Sequence, residues 1–155
     1  MLADWLGAIE TLPAVTALRE SYWAYPAVNT LHIVGIALLF GSIVPLDLRL
    51  AGWRREDASV DLLSKMLLPV AIFGFALAAC AGLLLFATDA RAYAASPIFR
   101  VKIVLIAAAL GNAWLLRRAD WLSASLSSRR LALAGAISIL LWLGVIMLGR
   151  LIGYS

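Results

Sequence analysis

Four apolar runs, each long enough to cross a lipid bilayer as a helix, dominate this 155-residue chain. They extend from about Pro26 to Leu50, Leu62 to Ala87, Ile98 to Leu116 and Leu131 to Ile152. Crossing the hydrocarbon core takes about 20 helical residues. No water is available there to satisfy backbone groups, so each run predicts a helix. Composition agrees, with 64% hydrophobic and 14% charged residues against about 25% charged in soluble domains. The expected fold class is all-α: an integral membrane four-helix bundle over residues 25–155, with residues 1–24 as a lead-in.

Within the lead-in, Leu2, Trp5, Leu6 and Ile9 recur at helical spacing while Asp4 and Glu10 lie elsewhere on the wheel. This predicts a short interfacial helix ending near Pro13, with Tyr22, Trp23 and Tyr25 as an aromatic belt. Its acidic residues argue against a cleaved signal peptide. The net charge of +4 does not indicate nucleic acid, because the cations sit at the ends of apolar runs rather than on one soluble face.

Those cations set an expected orientation. Arg49, Arg54, Arg55, Lys65, Arg117, Arg118, Arg129 and Arg130, eight of the thirteen, flank the first and third loops. Arg19, Arg91, Arg100, Lys102 and Arg150 lie on the other side. Positive charge collects on the cytoplasmic side, so both termini are expected in the periplasm of a bacterial inner membrane.

The only histidine, His32, falls inside the first run, six residues after Pro26 and thus about 9 Å deep at ~1.5 Å per residue. Asn29 precedes it by three residues, so the two share a helical face, expected to point into the bundle. Intramembrane polar groups mark functional sites by default, yet a neutral imidazole bonded to a neighbouring carbonyl also serves as a helix brace. Lys102 lies at a depth not far from His32, Arg150 approaches the same side from the fourth run, and Glu20 and Asp89 lie nearer the surface; together they suggest a polar outer pocket. Lys102 and Arg150 are also near enough to the interface to snorkel.

An inner layer holds Asp47, Arg49 and Asn112, read as structural. Pro45 should kink or end the first helix, and Asp47 is expected to pair with Arg117 or Arg118. Small residues at four-residue spacing, Gly74, Ala78 and Gly82 in one helix and Gly149 and Gly153 in another, predict close packing within the bundle or between copies.

The stretches "YPAVNTLHIVGIALLFGSIVPLDLRLAG", "GFALAACAGLLLF" and "SPIFRVKIVLIAAALGNAW" resemble a bacterial family of small uncharacterised four-helix membrane proteins. More distantly, the histidine-bearing helix and the Lys-to-Asn segment are similar to the copper-resistance protein D membrane domain and to four-helix b-type cytochromes. That likeness implies haem b or copper handling. His32 would be the haem ligand or metal ligand, with Asn29 beside it and Lys102 and Arg100 facing the propionates. One histidine excludes bis-histidine ligation within a single chain. The second axial position would be open, filled from a second copy, or held by an unusual ligand such as Lys102.

Copper ranks below haem, since Cys80, Met66, Met147 and Met1 are the whole sulfur supply and Cys80 lies far in depth from His32. Phosphate loops, zinc motifs and nucleophile elbows are missing from the sequence, so an enzyme is not expected. Besides haem-based electron transfer or sensing, two functions stay open: a transporter or channel for a small solute or metal ion, and an accessory subunit of a larger membrane complex. The expected partners are the lipid bilayer and a second copy or another membrane subunit.

Overall fold

The structure, a computed structural model, describes residues 1–53, 60–122 and 128–153. Arg54 and Arg55, counted above among the loop cations, lie outside the described residues, as does the side chain of Arg118. The described residues form seven helices and no strand: α1 (Leu2–Glu10), α2 (Pro13–Glu20), α3 (Ala24–Leu50), α4 (Val60–Thr88), α5 (Ala90–Ala95), α6 (Pro97–Leu122) and α7 (Ser128–Ile152). Four of them, α3, α4, α6 and α7, are long and apolar enough to cross a membrane. The chain is a multi-pass membrane protein built as an all-α bundle.

Local chemistry sets the helix ends. Ser21 Oγ accepts from the Ala24 N–H at the start of α3, 3.1 Å away. Ser96 does the same for Phe99 at 3.4 Å, just ahead of Pro97, a residue suited to a first turn because its missing N–H has no partner there anyway. At the far end of α3, Trp53 N–H reaches the Leu48 carbonyl and Gly52 N–H the Arg49 carbonyl, at 3.0 and 3.1 Å. Gly52 has φ of 96°, the left-handed conformation that closes a helix this way and that glycine adopts without strain.

The expected short helix is α1, which ends at Glu10, close before Pro13; the lead-in also holds a second, unexpected helix, α2, opened by Pro13. Pro45 does not end α3, which runs on to Leu50. Neighbouring helices commonly support a proline within a membrane helix, and here α7 lies against the residues beyond it. A Cβ on Gly135 would stand 2.5 Å from the Asp47 carbonyl oxygen.

Packing runs α4 on α3, α3 on α7 and α7 on α6, so α3 and α7 are central. Leu39, Ala71, Ala109, Trp142 and Val145 form the buried core. Phe75 of α4 meets Trp142 of α7 edge-on, 6.2 Å between ring centres. Lipid tails are as apolar as these side chains, so close packing rather than water exclusion holds the helices together. The closest approach joins α3 to α4. A Cβ on Gly35 would lie 2.5 Å from Ala78 N, and one on Gly74 2.5 Å from Leu39 N. The Gly74–Ala78–Gly82 face thus packs inside the bundle.

α4 and α6 are held farther apart. Phe86, Tyr93 and Phe99 fill the gap at one end, with Phe86 and Phe99 stacked at 5.3 Å and Tyr93 5.7 Å from Phe99. At the opposite end an open cleft of about 270 Å³ is lined by Ser64, Lys65, Leu68, Pro69, Ile72 and Arg117. The α1–α2 lead-in caps the Tyr93 end. The Arg91 guanidinium lies across Gly7 and its Nε approaches the Glu10 carboxylate at 3.5 Å, while the Arg91 backbone N–H donates to the same carboxylate at 2.8 Å. Tyr22 and Trp23 stand exposed at 80% and 78% beside this cap.

Candidate functional site around His32

His32 projects from α3 onto α4. Its Nδ1 lies 2.7 Å from the Ala78 carbonyl oxygen, and a Cβ on Gly82 would come within 3.0 Å of Cε1. Gly82 therefore provides the space in which the imidazole lies flat against α4. A carbonyl only accepts, so Nδ1 carries the hydrogen and a neutral ring presents its lone pair at Nε2. Nε2 has no hydrogen-bond partner among the described residues. The ring is half-buried.

Lys102 approaches from the other helix pair. Its Nζ would stand 3.2 Å from a Cβ on Gly149, so the first turns of α6 pack against α7 through that glycine. The half-buried ammonium has no acceptor among the described residues and lies within electrostatic reach of His32. Two of the expected site residues, one from each helix pair, are thus brought into one region.

The others are placed differently. Asn29 is exposed, so the helical face it shares with His32 turns outward by that level instead of pointing into the bundle. Arg100 is exposed, and its Nε donates to the Ala94 carbonyl at 3.0 Å; it clasps the end of α5 rather than lining the His32 region. Arg150, Glu20 and Asp89 are exposed as well. Asp89 instead helps line an open cleft of about 470 Å³ with Arg19, Tyr25 and Thr88. Beside it, Tyr93 has its phenol held above the ordinary value by burial, then by Tyr25 and Asp89.

The inner layer gathers on α7. Asn112 Nδ2 donates to the Ala134 carbonyl at 3.0 Å. Asp47, only 5% exposed, meets the Ser138 hydroxyl rather than the expected Arg117, which is exposed; the Arg118 side chain lies outside the described residues. The α7 face at Gly135 draws α3 in so closely that the carboxyl ends against Ser138. Gly153 packs on no other helix, its nearest neighbour being the Arg150 carbonyl in its own turn.

Gly35, Gly135 and Ser138 were not among the expected residues, nor was the Ala78 carbonyl as the acceptor for His32. Gly35 carried a visible signal, a small residue one turn beyond the histidine. Backbone acceptors leave no mark in a sequence. No group of three or more metal-binding side chains forms among the described residues. No known protein family matches the chain, and no curated protein or solved structure is significantly similar to it.

Proposed function

We propose that this protein binds haem b in the membrane through His32 and serves electron transfer or redox or gas sensing. One observation carries the reading: the Nδ1–H···O=C bond to Ala78. Metal-ligating histidines usually donate their second ring nitrogen to a carbonyl or carboxylate, which fixes the tautomer and aims the free nitrogen. Lys102 adds a cation that has no acceptor among the described residues and suits a propionate. The donor set of one oriented imidazole and one ammonium fits a singly ligated haem. Bound there, a haem would supply one-electron or diatomic-gas chemistry. This chain's residues would orient the ligand nitrogen, neutralise a propionate and exclude water. Copper is a weaker fit, because Cys80 is exposed on α4 and contributes to no cluster.

The same bond favours a second reading, in which His32 only braces α3 to α4 within an accessory subunit. Absorption spectra of the purified protein, oxidised and dithionite-reduced, together with metal analysis, separate the two. His32→Asn retains an N–H that can reach the Ala78 carbonyl but removes the ligand nitrogen. A Soret band present in the wild type and lost in this folded variant is expected. A colourless wild type refutes haem binding and leaves the brace. The cation distribution supports a bacterial inner-membrane location with both termini periplasmic, and a reporter active only in the cytoplasm should stay silent at either terminus.

A further inference from the structure

Asp47 is the anomaly of the inner layer. It is a carboxyl 5% exposed, and its Oδ2 is a buried side-chain oxygen without a hydrogen-bond partner. In folded proteins such orphans are rare enough that each calls for a physical cause. An ionised carboxylate has about four acceptor sites to satisfy, and here the Ser138 hydroxyl is its side-chain partner. No cation lies within ion-pair distance of it among the described residues.

Among the described residues, the elements packed around it supply no counter-charge. α7 contributes Gly135 and Ser138, with Arg129 and Arg130 exposed at its start. α6 contributes Asn112, whose amide is engaged with Ala134, and Arg117, which is exposed. On α3 itself Arg49 is two residues away, on a different face of the helix. Lys65 of α4 is paired with Asp61 at 2.7 Å.

We infer that Asp47 is a proton-binding site, its carboxyl held as the neutral acid against Ser138 and exchanging its proton with the aqueous side near the C-terminal end of α3. A buried charge without a partner costs far more than a buried neutral polar group. Hard cations take about six oxygen ligands, and one carboxyl with one hydroxyl falls well short. A proton needs only the carboxyl. Asp47 lies three residues before the end of α3, about 4.5 Å along the axis, which makes the route to water short. The site is independent of the haem reading: it lies toward the opposite end of α3 from His32 and needs no cofactor. It gives the protein a group able to take up and release a proton within the membrane domain.

Infrared spectroscopy of the full-length protein in lipid nanodiscs, with carboxyl-¹³C aspartate, tests this directly. At neutral pH the expected signal is an isotope-sensitive carbonyl stretch of a protonated acid, absent from Asp47→Asn and moving down on transfer to heavy water. Should Asp47→Asn not fold, Ser138→Ala keeps the carboxyl and should shift the same band by removing its hydrogen-bond donor. Carboxylate bands in place of the acid stretch overturn the proposal, whether or not they respond to replacing sodium with a large organic cation. A band that never moves in heavy water overturns it too, since the proton would then not exchange.

Discussion

Replacing Gly74 with alanine should loosen the His32 brace from about one helical turn away. The new Cβ would stand 2.5 Å from Leu39 N and 2.8 Å from the Gly35 carbonyl, whereas ordinary contact begins at 3.4 Å. Both opposing atoms are backbone and cannot swing aside, so α3 and α4 must separate by about 0.9 Å, the shortfall between those two distances. Carried to the next contact along the seam, that displacement lengthens the His32–Ala78 bond from 2.7 Å to about 3.6 Å, beyond hydrogen-bonding range. Overpacking costs about 1–3 kcal/mol, and the lost bond adds about 0.5–1.5 kcal/mol. Gly41 is the control, because nothing lies within 4 Å of its Cβ position; alanine there should stabilise the helix by about 0.5–1 kcal/mol. Unfolding in mixed detergent micelles measures both variants, and the ring-proton resonances of this chain's only histidine report the bond. Equal stabilities for Gly74→Ala and Gly41→Ala, with an unchanged imidazole spectrum, would refute the close α3–α4 seam.

Asn112→Leu removes the bond to the Ala134 carbonyl and should destabilise the bundle by about 0.6 kcal/mol, the average for such interhelical bonds, in the same unfolding assay. Arg91→Met removes the side-chain ion pair with Glu10 and leaves the backbone N–H bond to the same carboxylate in place. Because that pair is largely at the surface, global stability should move by under ~1 kcal/mol, while limited proteolysis between α2 and α3 should accelerate. Tyr93 has a folded-state value raised above the ordinary 10.0, so the folded state disfavours its phenolate. Its contribution is intact below pH 10 and is lost as the pH rises through the raised value. Tyr93→Phe should flatten that alkaline decline and remove a late-ionising phenol from the ultraviolet titration.

The spans were legible because apolar length is a one-dimensional property: each expected run matches an observed helix to within a few residues. Gly74 and Ala78 were legible as a packing face for the same reason. What spacing cannot show is which helix that face meets, since α3 and α7 become central only through three-dimensional packing. Asp47 illustrates the limit. Its charge suggested an arginine partner, but Gly135 lets α3 approach α7 so closely that Ser138 is the group it meets. Asn29 illustrates another, because an i, i+3 pair spans about 60° of helix circumference, enough to leave His32 half-buried and Asn29 outside.

The α4–α3–α7–α6 order also bears on biogenesis. The fold consists of two hairpins, α3 with α4 and α6 with α7, joined through the short α5 and docked along α3 and α7, and chain order places the first ahead of the second in synthesis. His32, Ala78 and Gly82 all belong to the first hairpin, so the imidazole can be oriented while α6 is still being synthesised. Lys102 reaches that region only once the second hairpin has closed on the first. Charge is therefore delivered to the histidine as the final act of assembly, and a chain halted after α4 would carry an oriented but uncharged site.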